Sequence, residues 1–134
     1  MNAFAPTTQV TEDDIHRLVY RFYDMIRNDP ELGPIFNAKI NDWDPHLAQM
    51  CNFWSSVMLK TGKFQGRPMP KHIALVGTVE PEHFKIWLSL FERAAYDVCS
   101  DDVAAAFLDR AKQIAESLKY GMFGAEGSKI CPAA

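Results

Sequence analysis

Residues Thr11-Glu-Asp-Asp-Ile-His-Arg-Leu-Val-Tyr-Arg-Phe-Tyr-Asp-Met-Ile-Arg-Asn-Asp-Pro30 decide the fold class. Thr11 is a helix-capping residue type, and Asp14 stands three residues later, where a capping box needs an acceptor. Ile15, Leu18, Val19, Phe22, Tyr23 and Ile26 then return at about 3.6-residue spacing, the period that puts them on one helix face. Asn28-Asp29-Pro30 combines turn-forming side chains with a proline and stops the helix.

Outward from this stretch the pattern repeats. Glu31 to Phe36, with Gly33-Pro34, reads as a short turn. A second helix opens at Asp44-Pro45 and presents His46, Met50, Phe53, Trp54 and Val57 on its inner stripe, with Gly62 and Gly66 closing it. Lys71 to Leu75 has room for one helical turn. Pro81 starts a long helix with Phe84, Trp87, Leu88, Phe91, Ala95 and Val98 on one face. Ser100-Asp101-Asp102 caps a last helix through Val103, Phe107, Ala111, Ile114 and Leu118, with Gly121 and Gly124 marking its end. No segment alternates long enough to make a sheet. The reading is all-α, one domain over 1–134, with a core over about 11–121 and a loose tail over 122–134.

Composition removes several function classes. The net charge is −3 and no run of Lys or Arg forms a patch, so nucleic acid and anionic lipid are poor partners. No apolar stretch approaches the ~20 residues that cross a bilayer, and the first residues lack the basic and apolar regions of a secretion signal. Cys51, Cys99 and Cys131 are odd in number and far apart. They read as free thiols in a reducing compartment, the cytoplasm, and the absence of Cys-x-x-Cys removes a zinc knuckle and a covalent haem attachment.

Chemistry is carried by the histidines. His16 lies beside the apolar stripe of its helix and reads as exposed, and His83, next to Glu80 and Glu82, reads as a solvated helix end. His46 instead heads an apolar stripe, and His72 follows a proline-bounded loop able to aim one side chain inward. A single inward histidine is usually a satisfied core residue. Two of them, with Tyr23 and Trp87 facing inward from other helices, need partners, because an unpaired buried donor costs about 1–3 kcal/mol. A ligand held between them would supply those partners.

Phe22-Tyr23, Leu32-Gly33-Pro34-Ile35-Phe36, Asn52-Phe53-Trp54, Pro70-Lys71-His72 and Phe84-Lys-Ile-Trp87-Leu-Ser-Leu-Phe91 together resemble the truncated haemoglobins, group III. The resemblance runs from about Thr11 to Tyr120, and the lack of any Gly-Gly pair departs from groups I and II. It implies a globin-like two-over-two helical sandwich around a non-covalent haem b. It further implies that His72 is the proximal ligand to iron. His46 matches the histidine of the distal helix, Tyr23 the distal tyrosine and Trp87 the tryptophan of the penultimate helix. Phe36 would pack on the macrocycle, and Met50, Phe53 and Trp54 would line the distal side. Lys71 is either a propionate partner or an ordinary surface lysine. His46 either gates ligand entry, assists a proton step or points out of the site.

The implied ligands are O2, NO and CO, with cyanide or peroxide as further candidates, and redox turnover would need an electron donor. Tyr23 and Trp87 are hydrogen-bond donors suited to tight oxygen binding, and the same polarity suits nitric oxide or peroxide chemistry. Two other classes fit parts of the chain. A cofactor-free helical interaction module would use the aromatics as core only and would be colourless. A di-iron carboxylate bundle would use Glu80-Pro-Glu-His83, with Asp13-Asp-Ile-His16 as a weak imitation, but it needs inward carboxylates that no stripe supplies.

Overall fold

The computed structural model describes residues 9–68, 72 and 78–124. Among them are five α-helices: α1 (Glu12–Asn28), α2 (Leu32–Lys39), α3 (Trp43–Leu59), α4 (Pro81–Val98) and α5 (Asp101–Phe123). Pro68 and His72 are helical as well. α4 packs on α5, and α1 packs on α2, α3 and α4. The result is a sandwich in which the α1–α3 pair faces the α4–α5 pair.

The capping box at the start of α1 forms as its residue types dictate. The Thr11 hydroxyl accepts from the Asp14 amide at 3.0 Å, and the Asp14 carboxylate accepts from the Thr11 amide at 3.0 Å. The whole expected stripe of α1, from Ile15 to Ile26, is buried. Asp29 then does more than stop the helix. Its carboxylate accepts from the amides of Glu31 and Leu32, at 2.9 and 2.8 Å, and so starts α2 where a turn was expected. Side-chain acceptance of first-turn amides replaces the bonds that a helix start lacks.

Gly33 allows α2 to sit against the end of α1. A Cβ at that position would lie 2.8 Å from the Arg27 carbonyl oxygen. Three helix boundaries also differ from expectation. α3 starts at Trp43 with Asp42 as its cap, ahead of Asp44-Pro45, and it ends at Lys60 in the left-handed conformation, φ 57°. α5 continues through Gly121 to Phe123, with Met122 buried, and Gly124 at φ 72° caps it.

The core centres on Phe91, which is 1% exposed. Trp54 of α3 stacks on it at 5.1 Å, Trp87 of α4 stacks at 5.5 Å, and Phe22 of α1 meets it edge-on at 5.1 Å. Offset-stacked and edge-on arrangements suit the ring quadrupoles. Ala94, Ala95, Ala104 and Ala111 are fully buried, small residues that let α4 and α5 approach closely. Leu47, Ser55, Leu90 and Ala94 are buried although the sequence stripes omitted them. Among the described residues, no helix is long and apolar enough to cross a membrane.

Candidate functional site

Between the two helix pairs lies a cavity of about 590 Å³ with walls from all five helices and from the Phe64–Pro68 and His72 region. Its size falls within the ~300–1,000 Å³ of cofactor sites. Tyr23, Phe36, His46, Met50, Phe53, Trp54, His72 and Trp87 all line it. The side chains singled out from sequence therefore meet at one place. Lys71 lies outside the described residues.

Each wall has a local cause. Tyr23 belongs to the buried stripe of α1, and its own burial pushes the phenol well above its ordinary pKa. It therefore stays protonated, a donor, at any physiological pH. Trp87 lies one turn before Phe91 on α4, half-buried, its ring fixed by that stack and by an edge contact with Phe22 at 5.3 Å. Indole N–H can only donate. His46 stands perpendicular to Tyr23 and to Trp43, with centroids 5.2 and 5.5 Å away. Phe36 reaches Tyr23 edge-on at 6.2 Å from the middle of α2.

His72 carries the most informative geometry. Its Nδ1 donates to the Pro68 carbonyl at 2.7 Å. A carbonyl only accepts, so in the neutral ring Nδ1 holds the proton and Nε2 keeps its lone pair. A neutral imidazole with one nitrogen anchored to a carbonyl is the form in which histidine ligates a metal. Apart from this donor the surroundings are mostly aromatic and aliphatic. The residues present therefore fit a flat apolar macrocycle with a metal that takes one imidazole. Among the described residues, no group of three or more His, Cys, Asp or Glu could hold a metal by itself.

Some wall residues escaped the sequence reading. His83 lines the cavity, half-buried, instead of standing free in solvent. Its Nδ1 accepts from the Glu80 amide at 2.8 Å, which makes it the third-position partner of a capping box. That bond also weighs against a di-iron role for Glu80 and His83, since it uses the ring as a cap. Phe64 packs on Phe53 at 5.2 Å, and its amide donates to the Ser56 hydroxyl. Ile114, Leu118 and Met122 close the cavity from α5. Ile114 and Leu118 belong to the last helical stripe of the sequence, and Met122 extends it by one turn. His16 is exposed and stacked on Tyr20. Cys51 and Cys99 are free and half-buried, neither lines the cavity, and Cys131 lies outside the described residues.

A helical sandwich enclosing an apolar, cofactor-sized cavity, with an imidazole whose Nδ1 donates to a backbone carbonyl, is the arrangement of a globin-type protein. No family model matches the chain. The chain is 36% identical over 121 residues to the group 3 truncated hemoglobin ctb of Campylobacter jejuni, covering 84% of this chain and 94% of that protein. The crystal structure of group III truncated hemoglobin from Campylobacter jejuni is similar at a TM-score of 0.79 and 31% identity, covering 96% of this chain and all of that one. The chain belongs to the group III truncated haemoglobins. It is accordingly a globin-type haem protein.

Proposed function

We propose that the chain binds non-covalent haem b, that His72 Nε2 would hold its iron while Tyr23, Trp87 and His46 would face the bound diatomic molecule, and that it takes up O2, NO and CO. The observation that carries this reading is the His72–Pro68 hydrogen bond inside the shared cavity, because in the neutral ring it leaves Nε2 as the lone-pair donor. Haem, when bound, supplies an iron with one coordination position for a diatomic molecule.

The rest is the work of the chain. Phe36, Met50, Phe53 and Trp54 exclude water and present apolar surface to the macrocycle. Tyr23 and Trp87 offer donors to a ligand that draws negative charge onto its outer atom. The Pro68 carbonyl is neutral and polarises the imidazole less than a carboxylate would. His72 is then a moderate electron donor, which favours holding a ligand over cleaving a peroxide bond. Neither described cysteine lines the cavity, in keeping with a haem held without a thioether link.

A visible spectrum of the purified protein tests the class. A Soret band is expected, and a colourless protein that takes up no added haem would refute it. His72→Gly tests the ligand: iron coordination is lost and returns with added imidazole. Unchanged coordination in that variant would assign the iron to another side chain.

A further inference from the structure

Four side chains from two helices form a graded stack at one end of the cavity. α1 contributes Tyr23 and Arg27, one turn apart, and α3 contributes Trp43 and His46, also one turn apart. Tyr23 is buried, His46 and Trp43 are half-buried, and Arg27 is exposed. The Arg27 guanidinium carbon lies 4.5 Å from the Trp43 ring centroid. Trp43 meets Tyr23 at 5.9 Å and a 53° tilt, and His46 edge-on at 5.5 Å and 88°. His46 in turn meets Tyr23 at 5.2 Å and 88°. Its imidazole is thus in contact with two rings, one from each helix.

A side chain on a helix leans toward the turn before it. For His46 that turn carries Trp43, so the indole walls the direction in which the imidazole projects. Trp43 is itself the first residue of α3, where the backbone has fewest helical restraints. The Arg27 charge over its face supplies an attachment across to α1.

We propose that Trp43, held under Arg27, is a positioning residue that keeps the His46 imidazole turned into the cavity against Tyr23, and so sets how readily a diatomic molecule enters. This rests on the reading of the cavity as a haem site. Arg27 acts through Trp43, Trp43 acts through His46, and neither Arg27 nor Trp43 lines the cavity.

The test uses the haem-loaded protein as its carbon monoxide complex, with Trp43→Ala, Trp43→Phe, Arg27→Gln, Arg27→Lys, His46→Ala and the His46→Ala/Trp43→Ala double variant. The readouts are the infrared band pattern of bound carbon monoxide and its association rate after flash photolysis. Trp43→Ala redistributes the bands and changes the rate at least about tenfold. Arg27→Gln moves both by about two- to fivefold, the value of an exposed cation–π contact, and Arg27→Lys and Trp43→Phe return them toward the parent. In the His46→Ala background, Trp43→Ala has no further effect. Parent-like bands and rates in both Trp43→Ala and Arg27→Gln would overturn the inference. So would a Trp43→Ala effect that persists without His46. If Trp43→Ala does not fold, Arg27→Gln with its Lys rescue decides. A parent protein without a Soret band would sink the haem reading and this inference with it, whereas a normal Soret band with unmoved carbon monoxide spectra sinks only the positioning role.

Discussion

The tautomer of the neutral His72 ring is set by a carbonyl four residues upstream, and the protonation of Tyr23 by its burial. One imidazole nitrogen is thereby kept as a lone-pair donor and one phenol as a hydrogen-bond donor. Replacing Tyr23 with Phe removes a donor worth about 1.5–3 kcal/mol toward a charged acceptor. Oxygen release should then quicken about 10- to 100-fold in stopped flow, and Trp87→Phe should act in the same direction. Release rates equal to the parent in both variants would mean that neither side chain touches the ligand. At this scale the sequence was legible where a residue sat on a clear helical stripe, as Tyr23, Phe53, Trp54 and Trp87 do. Pro68 and His83 were not legible, because their roles are hydrogen bonds whose partners are fixed by chain closure and not by period. His83 shows the difficulty: its neighbours are charged, yet the ring caps α4 and faces the cavity.

Among the elements, α2 was the one misread. Its eight residues are too few for periodicity to show, and its start depends on the Asp29 carboxylate lying before a proline. Its seat on α1 depends on the missing side chain of Gly33. Gly33→Ala should therefore destabilise the protein by about 1–3 kcal/mol, read from denaturant midpoints, because the clash is with backbone and cannot be relieved by a rotamer. A neutral result would show that α2 can shift without cost. A second link ties the start of α1 to the end of α3. The Ser55 hydroxyl, 1% exposed as a residue, donates to Glu12 at 2.8 Å, and Lys63 pairs with the same carboxylate at 3.1 Å. The Ser55 bond first, and Lys63 second, hold Glu12 below its ordinary carboxylate pKa. A depressed folded-state pKa gives stability that is present above the unfolded value and lost as pH falls through the folded one. Melting temperature should thus drop modestly between about pH 5 and 3, and Glu12→Gln should flatten part of that slope. The effect is small because the carboxylate is half exposed to screening solvent.

For the molecule as a whole, the cavity is a gap that an apolar ligand would fill in the middle of the sandwich. A cofactor present at a thousand times its dissociation constant adds about 4 kcal/mol to the folded state. Haem-loaded protein should melt ~10 °C or more above the same protein stripped of haem, by calorimetry. Identical melting curves would show that the cavity does not hold it. The all-α class and the sandwich were legible because α1, α4 and α5 carry long amphipathic periods and clear starts and stops. α3 was less so: only Leu47, Trp54 and Ser55 are buried, since much of its inner stripe faces the cavity rather than other side chains. A helix that lines a binding site looks, in sequence, like one that is only half packed.

The cavity walls run from Tyr23 on α1 to Met122 on α5. At ~5–20 residues per second of synthesis, about 5–20 seconds separate the emergence of its first wall from its last. During that interval the ribosome displays the aromatic faces of α1 and α3 with no α5 to cover them. Until α5 emerges, the pocket lacks the wall formed by Ile114, Leu118 and Met122, and the surface that would enclose a macrocycle is incomplete.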